Sequence, residues 1–410
     1  MKAFKYFAFS VCLALFAGGF GTAAAQNYQT TDIQDLALIY QGGKHRLDWT
    51  VDEFRPYVTH RFLDGSKHWL FDGFLFLEFK NGTGRCYTVG YEKEFARKPE
   101  WEWLLDRIFD EGKSLSALDR CIGEQIAEIG KPAFRHKVVL GLPEAVRDQK
   151  DWGELDGRRM DFSKDEDQIA ATKWYIDQLI ARFKKAGYKH LELSGFYWVA
   201  EDTNHCGDLT VPLSEYIHAQ KKLFYWIPYW QAKGHEDWKR LGFDVAYQQP
   251  NHFFNKSIPD SRLDEACAVA RKNGMAMEFE FDERATIAAP DTFYDRMLAY
   301  IDRFEKNDVF NASAVAYYCG NRGVLTLFES NERKDKVIMD RLARIIYTRQ
   351  VMKYGLPVKN KTRVVAHRGF WHTDGSAENS VSSLLNADKL GVYGAEFDVW
   401  MAADGKLVIH

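Results

Sequence analysis

Beyond its first 25 residues the chain lacks any apolar run approaching the roughly 20 residues a membrane-spanning helix needs, which excludes a later span. It also lacks an excess of one charge. Lysine and arginine number 55 against 58 acidic residues, and the net charge of -3 is spread without a basic stripe, so the electrostatic footprint of a nucleic-acid binder is missing. Cysteine is sparse. Past the first 25 residues there remain Cys86, Cys121, Cys206, Cys267 and Cys319, an odd count without paired metal-ligand spacing, which reads mostly as buried thiols. What is abundant is core material: 46% hydrophobic and 15% aromatic residues argue against disorder and for one large domain plus part of a second.

The first 25 residues read as a cleaved export signal. Lys2 and Lys5 precede an apolar run from Tyr6 to Phe20, and Ala23 and Ala25 stand where a signal peptidase would cut before Gln26. A secreted or periplasmic protein is expected. From residue 35 to 320 a short apolar strand, a loop and a helical stretch recur. Strands are predicted over 36–42, 74–79, 137–142, 190–198, 223–230, 243–249, 275–282 and 312–319. Helices are predicted most clearly over 163–186, 261–272 and 291–304, with apolar residues at three-and-four spacing. Eight such units predict an α/β fold, a (β/α)8 TIM-like barrel over residues 26–330. Two helix-like stretches between Trp101 and Gly130 are an insertion that the simple repeat does not explain. A charged helical run from Glu332 to Lys353, followed by Gly355 and Pro357, reads as a helix and linker over 331–362.

In the seventh strand Glu278, Glu280 and Asp282 alternate with Met277, Phe279 and Phe281. The apolar face must meet helices, so the acids are expected to point into the barrel or its mouth. The fourth strand is followed by Glu201 and Asp202. This pair of strand ends resembles the retaining barrel glycosidases, which hold two carboxyls about 5–5.5 Å apart across the scissile bond. The resemblance implies Glu201 as acid and Glu280 as nucleophile. Trp198, Trp226 and Trp230, with Tyr197, Tyr229 and Tyr247, would offer flat rings to a glycan, and Gln248, Gln249, Asn251 and His252 would add hydrogen bonds. Core packing of the rings and a buried ion network of the acids are the alternatives, as is a carbohydrate-binding barrel without catalysis. The stretch also resembles an uncharacterised family of exported bacterial proteins with a glycosidase-like barrel.

The last segment carries an ordered series. Val364-Val365-Ala366 runs into His367-Arg368-Gly369, Glu378-Asn379 follows, then Ala395-Glu396-Phe397-Asp398-Val399 reads as a strand with two carboxylates on one face. Asp404-Gly405 is a hairpin signal leading to His410. This order resembles the start of the glycerophosphodiester phosphodiesterase family. It covers residues 363–410 and departs from the family at Ala377 and Ala402. The resemblance implies the truncated start of a second TIM-barrel phosphodiesterase domain. His367 and His410 would be its acid/base pair, Arg368 its phosphate contact, Glu396 and Asp398 its ligands for Ca²⁺ or Mg²⁺, and Glu378 and Asn379 its support. Glycerophosphodiester hydrolysis is therefore the expected main activity, with a glycan ligand at the barrel as the second.

Overall fold

The computed structural model describes residues 27–355, 363–373 and 375–409. The expected export signal, the joint from Pro357 to Thr362 and His410 lie outside them. Eight parallel strands close into a barrel in sequential order: β1 (Asp35–Tyr40), β2 (Gly73–Leu77), β3 (His136–Leu142), β4 (Leu191–Trp198), β5 (Leu223–Trp226), β6 (Val245–Gln248), β7 (Ala276–Glu280) and β8 (Val315–Tyr318). Each overlaps its predicted strand. The insertion between β2 and β3 holds the helices Lys98–Ile108 and Ser114–Ile129. Among the described residues no helix is long and apolar enough to cross a membrane, and the five cysteines are buried and unpaired.

Strand alternation sorts the side chains into two cores. Leu36, Leu38, Leu75, Val139, Tyr225, Tyr247 and Ala316 fill the lumen, while Met277, Phe279 and Phe281 join the larger cluster between strands and helices. In β4 the alternation changes parity. Leu191 and Leu193 face the helices, the register against β3 shifts between Leu193 and Gly195, and beyond it Tyr197 faces the lumen while Phe196 and Trp198 face out. Gly195 is required there, since a Cβ would lie 2.0 Å from the Leu223 carbonyl oxygen.

The helix Arg333–Tyr354, expected as part of a joint, is a piece of the barrel body. Ile338, Leu342 and Ile346 are buried in the outer core. Its Arg349 reaches the N-terminal end of the barrel, where Nε donates to Asp35 at 2.9 Å and Nη2 to the carbonyls of Ser313 at 2.9 Å and Gln34 at 3.0 Å. Burial pushes Asp35 up to about 6 against the pull of Arg349.

Two short two-stranded sheets lie within residues 363–409. Val365–Ala366 pairs in parallel with Gly394–Ala395, the helix Val381–Lys389 connects them, and Val399–Met401 pairs antiparallel with Leu407–Ile409 about the Asp404-Gly405 turn. The single strand expected over 395–399 is interrupted: Glu396, Phe397 and Asp398 are irregular, because their backbone leaves the parallel pair before the hairpin begins.

Candidate functional site

A cavity of about 390 Å³ opens beyond the C-terminal ends of the strands, the face on which barrel enzymes carry their sites. Glu201, Glu278 and Glu280 line it, with Gln249 and Asn251. Strand β7 supplies two of the acids because its period-two alternation sends Glu278 and Glu280 inward. Asp282 leaves the set: it caps the short turn after β7 by accepting from the Arg284 amide at 2.9 Å, and pairs with the Arg284 guanidinium at 2.6 Å.

Glu280 is almost fully buried and accepts from the Tyr300 hydroxyl, the His252 amide at 3.2 Å and the Asn251 side chain at 3.5 Å. Tyr300 comes from the helix Tyr294–Lys306. Burial raises the Glu280 carboxyl to about 7, against those hydrogen bonds. Glu201 accepts from Gln249 Nε2 at 2.6 Å and the Tyr91 hydroxyl at 2.9 Å. Burial holds it above the ordinary carboxylate range, and those two donors pull it down. The two acids are joined through amides, since Asn251 Nδ2 also donates to Gln249 Oε1 at 2.9 Å. Asn251 adopts a left-handed backbone, φ 48°, a conformation asparagine tolerates better than most residues.

Of the predicted rings only Tyr197 lines the cavity. Tyr40, Phe79, Tyr91, Phe254 and Tyr318 complete the aromatic surround, with Phe79 and Tyr91 stacked at 4.4 Å. Trp198 and Trp226 are buried on the helix side of β4 and β5, Trp198 because the β4 bulge turns it outward and Trp226 because it alternates with the inward Tyr225. The Trp226 ring stacks on Phe243 at 4.8 Å and its Nε1 donates to the Ala200 carbonyl at 2.8 Å. Trp230 is half-buried in the loop after β5 under the Arg262 guanidinium, 4.6 Å away. Tyr229 donates to Asp202 instead of lining the cavity. At the rim Arg46 holds Glu78 through two hydrogen bonds of 2.9 and 3.1 Å. Sequence reasoning missed Tyr91, Tyr300, Arg46 and Tyr318; Tyr300 sits in an ordinary amphipathic helix and Tyr91 in an irregular loop, so neither carries a local signal.

The motif residues of the terminal unit also come together. Arg368 Nε lies 2.9 Å from Asp398 and its Nη1 2.9 Å from Glu378, while its amide donates to Glu396 at 3.2 Å. Asn379 donates to Asp398 at 3.1 Å, and His367 lies 3.8 Å from Glu396. Gly369 has φ +78°, and a Cβ there would meet Ser383 Oγ at 2.3 Å, so the motif's glycine is a geometric necessity. These residues do not fit a divalent cation as they stand. Arg368 already neutralises Asp398, and among the described residues no group of three or more histidine, cysteine or acidic side chains is placed to hold a metal.

A family model described as "Domain of unknown function (DUF4855)" matches residues 35–344. No curated protein matches. Similar solved structures include a noncanonic maltogenic alpha-amylase AmyB from Thermotoga neapolitana, 10% identical with a TM-score of 0.41 and covering 77% of this chain and 76% of that one. GH26C from a Muricauda species is 10% identical with a TM-score of 0.37, covering 72% and 80%. A mutant tryptophan synthase alpha-subunit from Pyrococcus furiosus is 9% identical with a TM-score of 0.37, covering 77% and 98%.

Proposed function

The chain belongs to the DUF4855 family, and we propose that its barrel is a glycoside hydrolase in which Glu201 is the general acid and Glu280 the nucleophile. The observation that carries this reading is the cavity itself: the buried Glu280 carboxyl of β7 and the half-buried Glu201 carboxyl just beyond β4, from different sides of the ring, face one sugar-sized space and share an amide bridge. Hydrolysis through a glycosyl-enzyme needs one carboxyl ionised to attack the anomeric carbon and one protonated to give its proton to the leaving oxygen. Glu280 is assigned the first role because three donors pull toward its anion against the burial that holds it at about 7, so the nucleophile is available from about neutral pH upward. Glu201 suits the second, since burial favours its neutral form at the cavity wall. After attack, Glu201 as carboxylate takes a proton from water, whose oxygen releases the sugar from Glu280. The aromatic rim offers flat faces to the apolar sides of the sugar rings.

The test is a screen of the parent protein over a broad set of oligosaccharides, with Glu280→Gln and Glu201→Gln beside it. Turnover should fall by roughly 10²–10⁴-fold in either variant while binding persists. Binding without hydrolysis by the parent would make the barrel a carbohydrate-binding module, and neither binding nor hydrolysis would remove the reading.

A second reading is favoured by the gathering of His367, Arg368, Glu378, Asn379, Glu396 and Asp398 at the ends of one parallel strand pair. It makes residues 363–410 a glycerophosphodiester phosphodiesterase-like segment, with Arg368 toward the phosphate and His367 and His410 exchanging protons. Its Ca²⁺ or Mg²⁺ would fall to Glu396 and Asp398 only after Arg368 turns from Asp398 to substrate. Hydrolysis of glycerophosphocholine that resists chelator, or that proceeds equally in His367→Ala, counts against it. Export is part of both readings, and an N-terminus at Gln26 in the mature protein is its check.

A further inference from the structure

Nine acidic residues are buried in the described chain, and eight of them accept hydrogen bonds. Asp35 takes Arg349, Glu78 takes Arg46, Glu144 takes the Thr88 hydroxyl at 2.6 Å, and Glu280 takes Tyr300. Glu278 is the exception. It is 2% exposed, it lies on the inward face of β7 two residues before Glu280, it lines the cavity, and no hydrogen bond or ion pair to it is found among the described residues. A buried carboxyl left without a partner costs stability, and a fold retains one where something outside the fold completes it.

We propose that Glu278 is a ligand-contacting residue at the floor of the barrel mouth, where its carboxyl donates a hydrogen bond to a hydroxyl of the sugar seated over Glu280. This rests on the glycoside reading above. Burial first, then the neighbouring charges of Glu280 and Glu201, hold Glu278 well above the ordinary carboxylate range, so it meets ligand as a neutral acid, both donor and acceptor. The two acids of β7 are thereby separated in role by their surroundings: Glu280 has donors that favour its anion, and Glu278 has none. A floor with three acids also selects its occupant. An uncharged sugar can approach it, whereas a carboxylate-bearing sugar placed there would face the anion of Glu280.

The experiment uses the full chain, its Glu278→Leu and Glu278→Gln variants, and an array of neutral, amino and uronate tetra- to hexasaccharides, together with thermal melts without ligand. Binding of a neutral oligosaccharide should weaken about tenfold or more in Glu278→Leu and stay within about threefold in Glu278→Gln, which keeps a donor. The melting temperature of Glu278→Leu should rise, because an unpartnered polar group is replaced by an apolar one. A Leu variant that binds as tightly as the parent, or that melts lower, overturns the assignment while leaving the hydrolase reading standing. Binding confined to uronates also overturns it. A parent that binds nothing on the array removes the hydrolase reading and this assignment together.

Discussion

The barrel and the terminal unit each set an arginine on a carboxylate, in opposite surroundings. Arg349 and Asp35 have side chains 3% and 0% exposed; Arg368 and Asp398 are 37% and 34% exposed at the same 2.9 Å. The difference extends to the apolar residues. In the barrel Trp49, Trp101, Trp152 and Trp226 are fully buried, whereas in the terminal unit Val399, Trp400, Met401, Leu407 and Ile409 are more than half exposed. Geometry of a charged cluster therefore says little about what holds it. In the barrel the cluster is locked by its environment, and in the terminal unit the environment is mostly water, where ion pairs contribute little.

The comparison breaks most visibly under separation. A fragment spanning residues 27–355 should melt cooperatively at the temperature of the full chain, because all eight strands and the Arg333–Tyr354 helix lie within it. A peptide of residues 363–409 should show no cooperative melt by circular dichroism, since it buries too little apolar surface to offset chain entropy. A cooperative transition in that peptide would make the two regions alike. Next in size is Arg349→Ala. It leaves Asp35 buried without its cation and several carbonyls without donors, and should cost about 3–5 kcal/mol by chemical denaturation. A loss below about 1 kcal/mol would place the pair with surface bridges.

A smaller effect concerns pH. Glu280 is held at about 7 against an ordinary 4.5. Its protonated form is the one the fold favours, so the stability it supplies is complete below about pH 4.5 and is lost as pH rises toward 7. His136 and His252, pushed down by burial to about 3 and about 4, act the other way: their contribution is complete above about pH 6.5 and is lost on acidification. The contribution of Glu280 must therefore be read as the difference between parent and Glu280→Gln. That difference should shift in favour of the variant by on the order of 1–3 kcal/mol between pH 4.5 and 7.5. A difference that is flat with pH would mean that Glu280 is not desolvated.

The strands of the barrel were legible because each is a short apolar run, and their number implied closure. The inward aim of Glu278 and Glu280 was legible because β7 alternates without interruption. Trp198 was misplaced because one bulge at Gly195 inverts the parity of β4, and the one local mark of it is that glycine within the strand. Tyr91 reaches Glu201 across 110 residues, and Tyr300 reaches Glu280 by the folding back of the helix that follows β7, so neither contact shows in a local pattern. The helix Arg333–Tyr354 was read as a joint because its charged face dominates the sequence, while the Ile338, Leu342 and Ile346 stripe is what packs. In the terminal unit the motif residues were found and do gather. Their order gave no sign that Arg368 would sit on the two carboxylates it neighbours.

That placement gives the smallest and most discriminating prediction. Arg368 stands between Glu378 and Asp398, where a cation would have to compete with it. Replacing it with alanine should leave the main melting transition unmoved, in contrast to Arg349→Ala, because the pair is solvated and outside the barrel core. It should also free two carboxylates beside Glu396, and oxygen-rich clusters of net negative charge favour hard divalent cations. Calcium or magnesium affinity, measured by titration calorimetry on the full chain, should then rise by a few-fold over the parent. If the barrel transition shifts as far as it does for Arg349→Ala, the two regions are coupled more tightly than their exposures imply. If cation affinity falls on removal of Arg368, the guanidinium organises the carboxylates for the metal instead of occupying its place.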